Sequence, residues 1–176
     1  MRNHIHLPFM YQEKIIIKKL IAALSCLILV SCGFHLRGLA IVPFKTLYIQ
    51  APNTSILLDI KRRVQSSSNA TVVGNPKDAQ ATLHIINASH KKIILSVSSS
   101  GRVREFQLRY SLSYRIINQA GQEIYPITEI IVKQVLPFSD SAFLSSQREE
   151  KMLLDQMKKD AILRLIRRLG KLESLN

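Results

Sequence analysis

Two thiols, a few imidazoles and a surplus of cations are what this sequence offers to chemistry. Cys32 sits directly behind an apolar run, residues 20–30, with Ser31 between. Lys14, Lys18 and Lys19 precede the run. A thiol there, with a small residue before it, suits alkylation at sulfur and cleavage of the peptide bond on its N-terminal side. Cys26, preceded by Ala23-Leu24-Ser25, fits that chemistry less well. Both cysteines lie within seven residues of each other, so no disulfide framework is expected. The cations best placed to meet phosphate are Arg102, Arg104, Lys133 and Arg148, because each stands near apolar residues or a turn. Guanidinium and ammonium groups bind phosphate through charge-assisted hydrogen bonds, and arginine can do so in bidentate fashion. His35, His84 and His90 lack ligand spacing, so no metal site is expected. No Gly-rich phosphate loop follows a strand, and no G-x-S-x-G elbow occurs. No catalytic residue is expected, and the chain is not read as an enzyme.

The N-terminal segment reads as a signal for export. Its apolar run is too short to span a bilayer comfortably. The sequence Leu29-Val30-Ser31-Cys32 resembles the lipobox of bacterial lipoproteins. The expectation is therefore a signal peptide over residues 1–31 that is removed. Cys32 would then carry a thioether-linked diacylglycerol and an N-acyl chain; no other cofactor is expected. Met10 is an alternative start. Several acyl chains on one residue give stable anchoring, each buried CH2 adding about 0.8 kcal/mol. Gly33 stands where Asp would favour inner-membrane retention, so the outer membrane is expected, on its periplasmic side.

The formal net charge is +13, and loss of residues 1–31 removes four bases and one acid to leave +10. Such a surplus favours an anionic partner. Nucleic acid fits by composition, but an exported, lipidated chain does not meet it, so phosphorylated glycolipid is the better match.

The elements that must position these groups follow from periodicity. Residues 32–45 form the lipidated Cys and a linker, residues 46–170 one α/β domain, and residues 171–176 a short tail. Residues 46–51 read as a strand, followed by a helix capped by Asn53 or Thr54, with Ile56, Leu57, Ile60 and Val64 on one face. Residues 72–79 read as a loop. Residues 81–97 form a long strand with Ala81, Leu83, Ile85, Ile93, Leu95 and Val97 in one phase, and a bend or bulge near Ser89. Residues 98–101 turn into the clearest alternation of the chain. Phe106, Leu108, Tyr110, Leu112, Tyr114 and Ile116 interleave with polar residues that include Arg109 and Arg115. Residues 118–122 turn again, and residues 123–136 are a last strand, with Pro126 at an edge or bulge. Ser146 and Glu149 have capping-box spacing and open a long helix. Leu154, Met157, Ala161, Leu165 and Leu169 recur along it, Lys158 falls inside their arc, and Gly170 closes it. The order is β-α-β-β-β-α. The economical fold is α+β: a two-layer sandwich of a four-stranded mixed sheet with two helices on one face, the other face uncovered.

Four stretches in this order resemble the LptE family of lipopolysaccharide-assembly lipoproteins: CGFHLRG after the lipobox, REFQLRYSLSYRI, GQEIYPI, and KMLLDQMKKDAILRLIRRL. The resemblance spans nearly the whole chain after Cys32. It implies a non-catalytic outer-membrane lipoprotein that plugs and supports the LptD β-barrel in a one-to-one complex. It also implies direct contact with lipopolysaccharide. Family members can carry a basic residue at the tip of the hairpin, where this chain has Ser98-Ser99-Ser100-Gly101, so Arg102 and Arg104 are the nearest cations. The competing expectation is a periplasmic envelope scaffold or a peptidoglycan-binding lipoprotein.

Overall fold

The computed structural model describes Lys19 and residues 40–172. The rest of the signal segment, with Met10 and Cys26, lies outside the described residues, as do Cys32 and His35. Strand β1 (Thr46–Gln50) leads into helix α1 (Thr54–Ser67), and a two-residue strand β2 (Thr71–Val72) follows. Three long strands come next: β3 (Ala81–Val97), β4 (Val103–Asn118) and β5 (Glu123–Pro137). A 3-10 turn, Asp140–Ala142, then winds into helix α2 (Phe143–Leu169). Among the described residues no helix is long and apolar enough to cross a membrane.

The sheet order is β2-β1-β3-β4-β5, parallel among β2, β1 and β3 and antiparallel from β3 to β5. The mixed sheet and the α+β class agree with the sequence reading, but the sheet has five strands rather than four. The added strand, β2, lies within and just before the segment read as a loop. The amide of Thr71 donates to the carbonyl of Lys45 and that of Val73 to Leu47. Two residues carry no detectable alternation, which is why β2 escapes a reading by period.

Strand β4 behaves as its pattern demands. Leu108, Tyr110, Leu112, Tyr114 and Ile116 are buried, and Phe106 packs against them. They meet Leu47 and Ile49 of β1, Leu83 and Ile85 of β3, Ile130, Val132 and Leu136 of β5, and both helices in one core. Helix α1 is capped by Asn53, whose side chain accepts from the Ile56 amide at 3.0 Å, and it buries Ile56, Ile60 and Val64. Helix α2 buries Met157, Ala161, Leu165 and Leu169 as expected, with Ile162 and Ile166 beside them. Both helices therefore cover the even-numbered face of β4, and the odd-numbered face is open.

Three local expectations change. Helix α2 starts at Phe143, so Ser146 is a buried helical residue and not a cap. The preceding 3-10 turn already points the chain along the helix axis, with Phe143 in the right-handed helical region. Gly170 does end α2, its amide donating to Ile166, but with no left-handed backbone. A side chain there would press on Ala40 and the Ile41 carbonyl, so close approach selects the glycine. In β3 the bulge falls between Ile85 and Asn87, and it inverts the phase. Ala81, Leu83 and Ile85 face the helices. Beyond the bulge Ala88, His90, Lys92 and Ile94 oppose the even residues of β4. Ile93, read as continuing the buried phase, opposes Gln107 on the open face.

Candidate functional site

The outer part of β3, β4 and β5 runs past the packed core. Ile93, Ile94, Leu95 and Val97 of β3 are exposed there, Ile94 at 57%. The turn is closed by Gly101 at φ 76°, with the Gly101 amide donating to Ser98 and the Ser98 amide to the Arg102 carbonyl. A positive φ costs a residue with a Cβ, so glycine belongs at this position. Ser98 Oγ also accepts from the Arg102 amide at 3.1 Å. This hydrogen bonding fixes the backbone at Arg102, and both Arg102 and Arg104 extend from it as exposed residues.

Lys92 stiffens this region from the helix side. Its Nζ lies 2.6 Å from Glu150 Oε2 on α2 and 4.2 Å over the Phe106 ring. Phe106 in turn meets Phe138 edge-on at 5.3 Å. Arg104, with Ser96, Val97, Glu105, Pro137 and Phe138, lines a shallow cavity of about 450 Å³. A cation beside phenyl and valine side chains is the juxtaposition a phosphorylated amphiphile needs.

The four cations singled out from sequence do not converge. Arg104 is the unpaired residue of a bulge, between Val103, opposite Val97, and Glu105, opposite Ser96. Lys133 lies on the open face, opposite Arg109. Arg148 is exposed in the first turns of α2. The register adds a residue that sequence reasoning missed. Lys91 opposes Arg109 from the other side, so three cations stand in one row across β3, β4 and β5. Only the phase inversion at the β3 bulge puts Lys91 there.

The other basic residue of that face is different. Arg115 Nε donates to His84 Nδ1 at 3.2 Å, and its Nη1 lies 3.6 Å from Glu123. His84 thus accepts an arginine hydrogen bond, in keeping with a structural histidine. Among the described residues no cluster of three or more His, Cys, Asp or Glu could hold a metal ion.

Elsewhere, ion pairs serve packing. Lys158 lies 2.8 Å from Asp59 of α1 and 3.6 Å from Asp155. A hydrogen bond to Asp59 holds the Lys158 ammonium above the ordinary lysine value, against the opposing effect of burial. Burial pushes the Tyr114 hydroxyl up to about 12, and burial together with nearby Asp59 does the same to Tyr110. Tyr114 also stacks on Tyr125 at 5.9 Å. These phenols serve the core and are no acid–base pair.

Comparison with known proteins fits this architecture. A family model described as LptE, lipopolysaccharide-assembly, matches residues 44–169. A protein of Pectobacterium atrosepticum named LPS-assembly lipoprotein LptE is 25% identical over 156 residues, covering 85% of this chain and 83% of its own. Its namesake in Photorhabdus laumondii is 27% identical over 155 residues, covering 85% and 83%. Among solved structures, lipoprotein B of Nitrosomonas europaea superposes with a TM-score of 0.72 at 37% identity, covering 81% of this chain and 93% of that one. Rare lipoprotein B of Shewanella oneidensis shares the fold, with a TM-score of 0.63 at 18% identity, covering 73% and 96%. With residues 44–169 matched by the family model and curated relatives of that name covering 85% of its length, the chain belongs to the LptE family of lipopolysaccharide-assembly lipoproteins.

Proposed function

We propose that this chain is an outer-membrane lipoprotein, anchored by acyl chains on Cys32. In this reading it binds lipopolysaccharide and plugs and supports an LptD-type β-barrel in a one-to-one complex. The observation that carries the lipid reading is the exposed outer hairpin, where Ile94, Leu95 and Val97 stand beside Arg102 and Arg104. Lipid A presents phosphate next to acyl chains, and a surface pairing guanidinium groups with apolar side chains answers both. Lys133 and Arg148 are further hydrogen-bond donors to phosphate, on separate surfaces. The barrel reading draws on the family membership and on the open sheet face, whose mixture of Ser, Gln and cations suits a polar barrel lumen.

The lipid reading is tested by lipopolysaccharide binding to the Arg102→Ala/Arg104→Ala variant. Weaker binding with a shallower salt dependence is expected, and unchanged affinity and salt dependence reject these two residues. Co-purification tests the rest: a stable equimolar complex with a large β-barrel supports the plug. Retention on cell-wall sacculi without a barrel favours a peptidoglycan-binding scaffold. Intact mass spectrometry of the native protein reads the acyl chains on Cys32 directly, and a bare thiol with residues 1–31 attached rejects the anchor.

A further inference from the structure

We infer that Lys91, Arg109 and Lys133 form a distinct binding site for the phosphate groups of a phosphorylated glycolipid on the open face of the sheet. The inference rests on the lipopolysaccharide reading above and gives it a location away from the hairpin arginines.

The register makes the row. Lys91 pairs with Arg109, and Arg109 with Lys133, on three adjacent antiparallel strands. Side chains directly opposite one another stand about 5 Å apart at Cβ, and like charges so placed repel. None of the three takes part in any of the ion pairs found among the described residues. The nearest carboxylates on that face are Glu105, opposite Pro137, and Glu129, opposite Ser113. Each is four residues along from the row, roughly 13 Å. Glu105 already accepts from Ser96 Oγ at 2.7 Å. Arg109 Nε is buried and has no hydrogen-bond acceptor among the described residues. A buried donor left open in this way is costly unless a ligand completes it.

The surroundings favour a phosphorylated amphiphile over an acidic protein surface. Strand spacing sets the row about 10 Å across. A phosphate monoester carries roughly −1.5 to −2, so two of them balance three cations where single carboxylates would crowd. On one side the row is bordered by exposed Ile93 and Val135 with Gln107 between them, and on the other by exposed Ile131 with Ser111 and Ser89. Apolar side chains on both borders give acyl chains a surface next to the charges.

The test compares the full chain in detergent with its Lys91→Gln/Arg109→Gln/Lys133→Gln variant, using bis-phosphorylated lipid A and dephosphorylated lipid A as probes. The variant is expected to bind bis-phosphorylated lipid A about tenfold more weakly or worse. Binding of the dephosphorylated form should not change, and the melting temperature should be equal or higher because the mutual repulsion is gone. Equal binding of bis-phosphorylated lipid A by variant and wild type overturns the row while leaving the lipopolysaccharide reading standing. Wild type that binds neither probe overturns both. A variant that binds lipid A normally but loses a co-expressed barrel makes the occupant an acidic protein surface and also overturns the inference. If the triple variant melts lower, the exposed Lys91→Gln single variant decides: several-fold weaker binding supports the site, and unchanged binding sinks it.

Discussion

Replacing Lys158 with methionine should loosen the two helices from each other by about 1–2 kcal/mol. The ammonium sits 2.8 Å from Asp59 Oδ2, so one side chain of α2 holds one of α1. The two side chains are 27% and 23% exposed. Removing one partner of a fully buried pair costs about 3–5 kcal/mol, and exposed pairs contribute about 0–1. A pair one quarter exposed falls between these limits. Methionine keeps most of the aliphatic stem, so the loss reports the charge and not the packing. Urea unfolding of Lys158→Met, Asp59→Asn and the double variant isolates the pair, with an expected coupling of about 1 kcal/mol. Asp59 also holds Arg62 at 2.8 Å, which makes the double-mutant cycle necessary. The pH dependence has a defined sign. Lys158 has a raised pKa in the folded chain. Its stabilisation is therefore complete below the ordinary lysine value of 10.5 and is lost as pH rises through the higher folded value. The gap between wild type and Lys158→Met should close under strongly alkaline conditions. Additive single variants, or a gap that ignores pH, would refute the reasoning.

Two further outcomes follow from the core and the turn. Tyr110 and Tyr114 rise from 10.0 to about 12, so each contributes stability that is complete below pH 10 and lost as pH climbs towards 12, about 2–3 kcal/mol apiece; Tyr114→Phe should flatten the alkaline limb of a denaturation curve, and an unaltered limb would assign it to other groups. Gly101→Ala places a Cβ at φ 76° and should cost about 1–2 kcal/mol in thermal or urea unfolding, whereas an unchanged midpoint would mean that the turn relaxes freely.

Where the sequence carried a long, one-phase pattern, structure followed it. The even residues from Phe106 to Ile116 alternate without interruption, and they form the helix-covered side of β4. The stripe of α2 was equally legible, and on its exposed side the i,i+4 pairs Asp155–Lys159 and Asp160–Arg164 form at 2.6 and 2.7 Å. The failures share a physical cause, which is that pairing between distant segments decided the outcome. Residues 87–92 of β3 are nearly all polar, so nothing local reports which side each one faces; β4 imposes the bulge and with it the phase. Lys91 was invisible as a site residue for that reason. Arg109 could be placed on a wet face by alternation alone, but the strand of Lys133 is apolar in both phases, and the alignment of the two needed the register. The capping-box spacing at Ser146 misled because an upstream 3-10 turn had already supplied the first helical turn.

The reach of β3 has a mechanical consequence. At one end of the sheet the amide of Ala40 donates to Ser67 beside the close contact with Gly170. The hairpin tip lies beyond the opposite end of a strand of 17 residues, roughly 55 Å long at the usual rise. A tilt of only about 10° at the Ala40 end would sweep the tip through roughly 10 Å over such a boom. Aim at the far end thus depends on bending stiffness along the ribbon, and the Lys92–Glu150 brace supplies it midway. Cutting that brace would widen the swing of the tip without touching any residue located there.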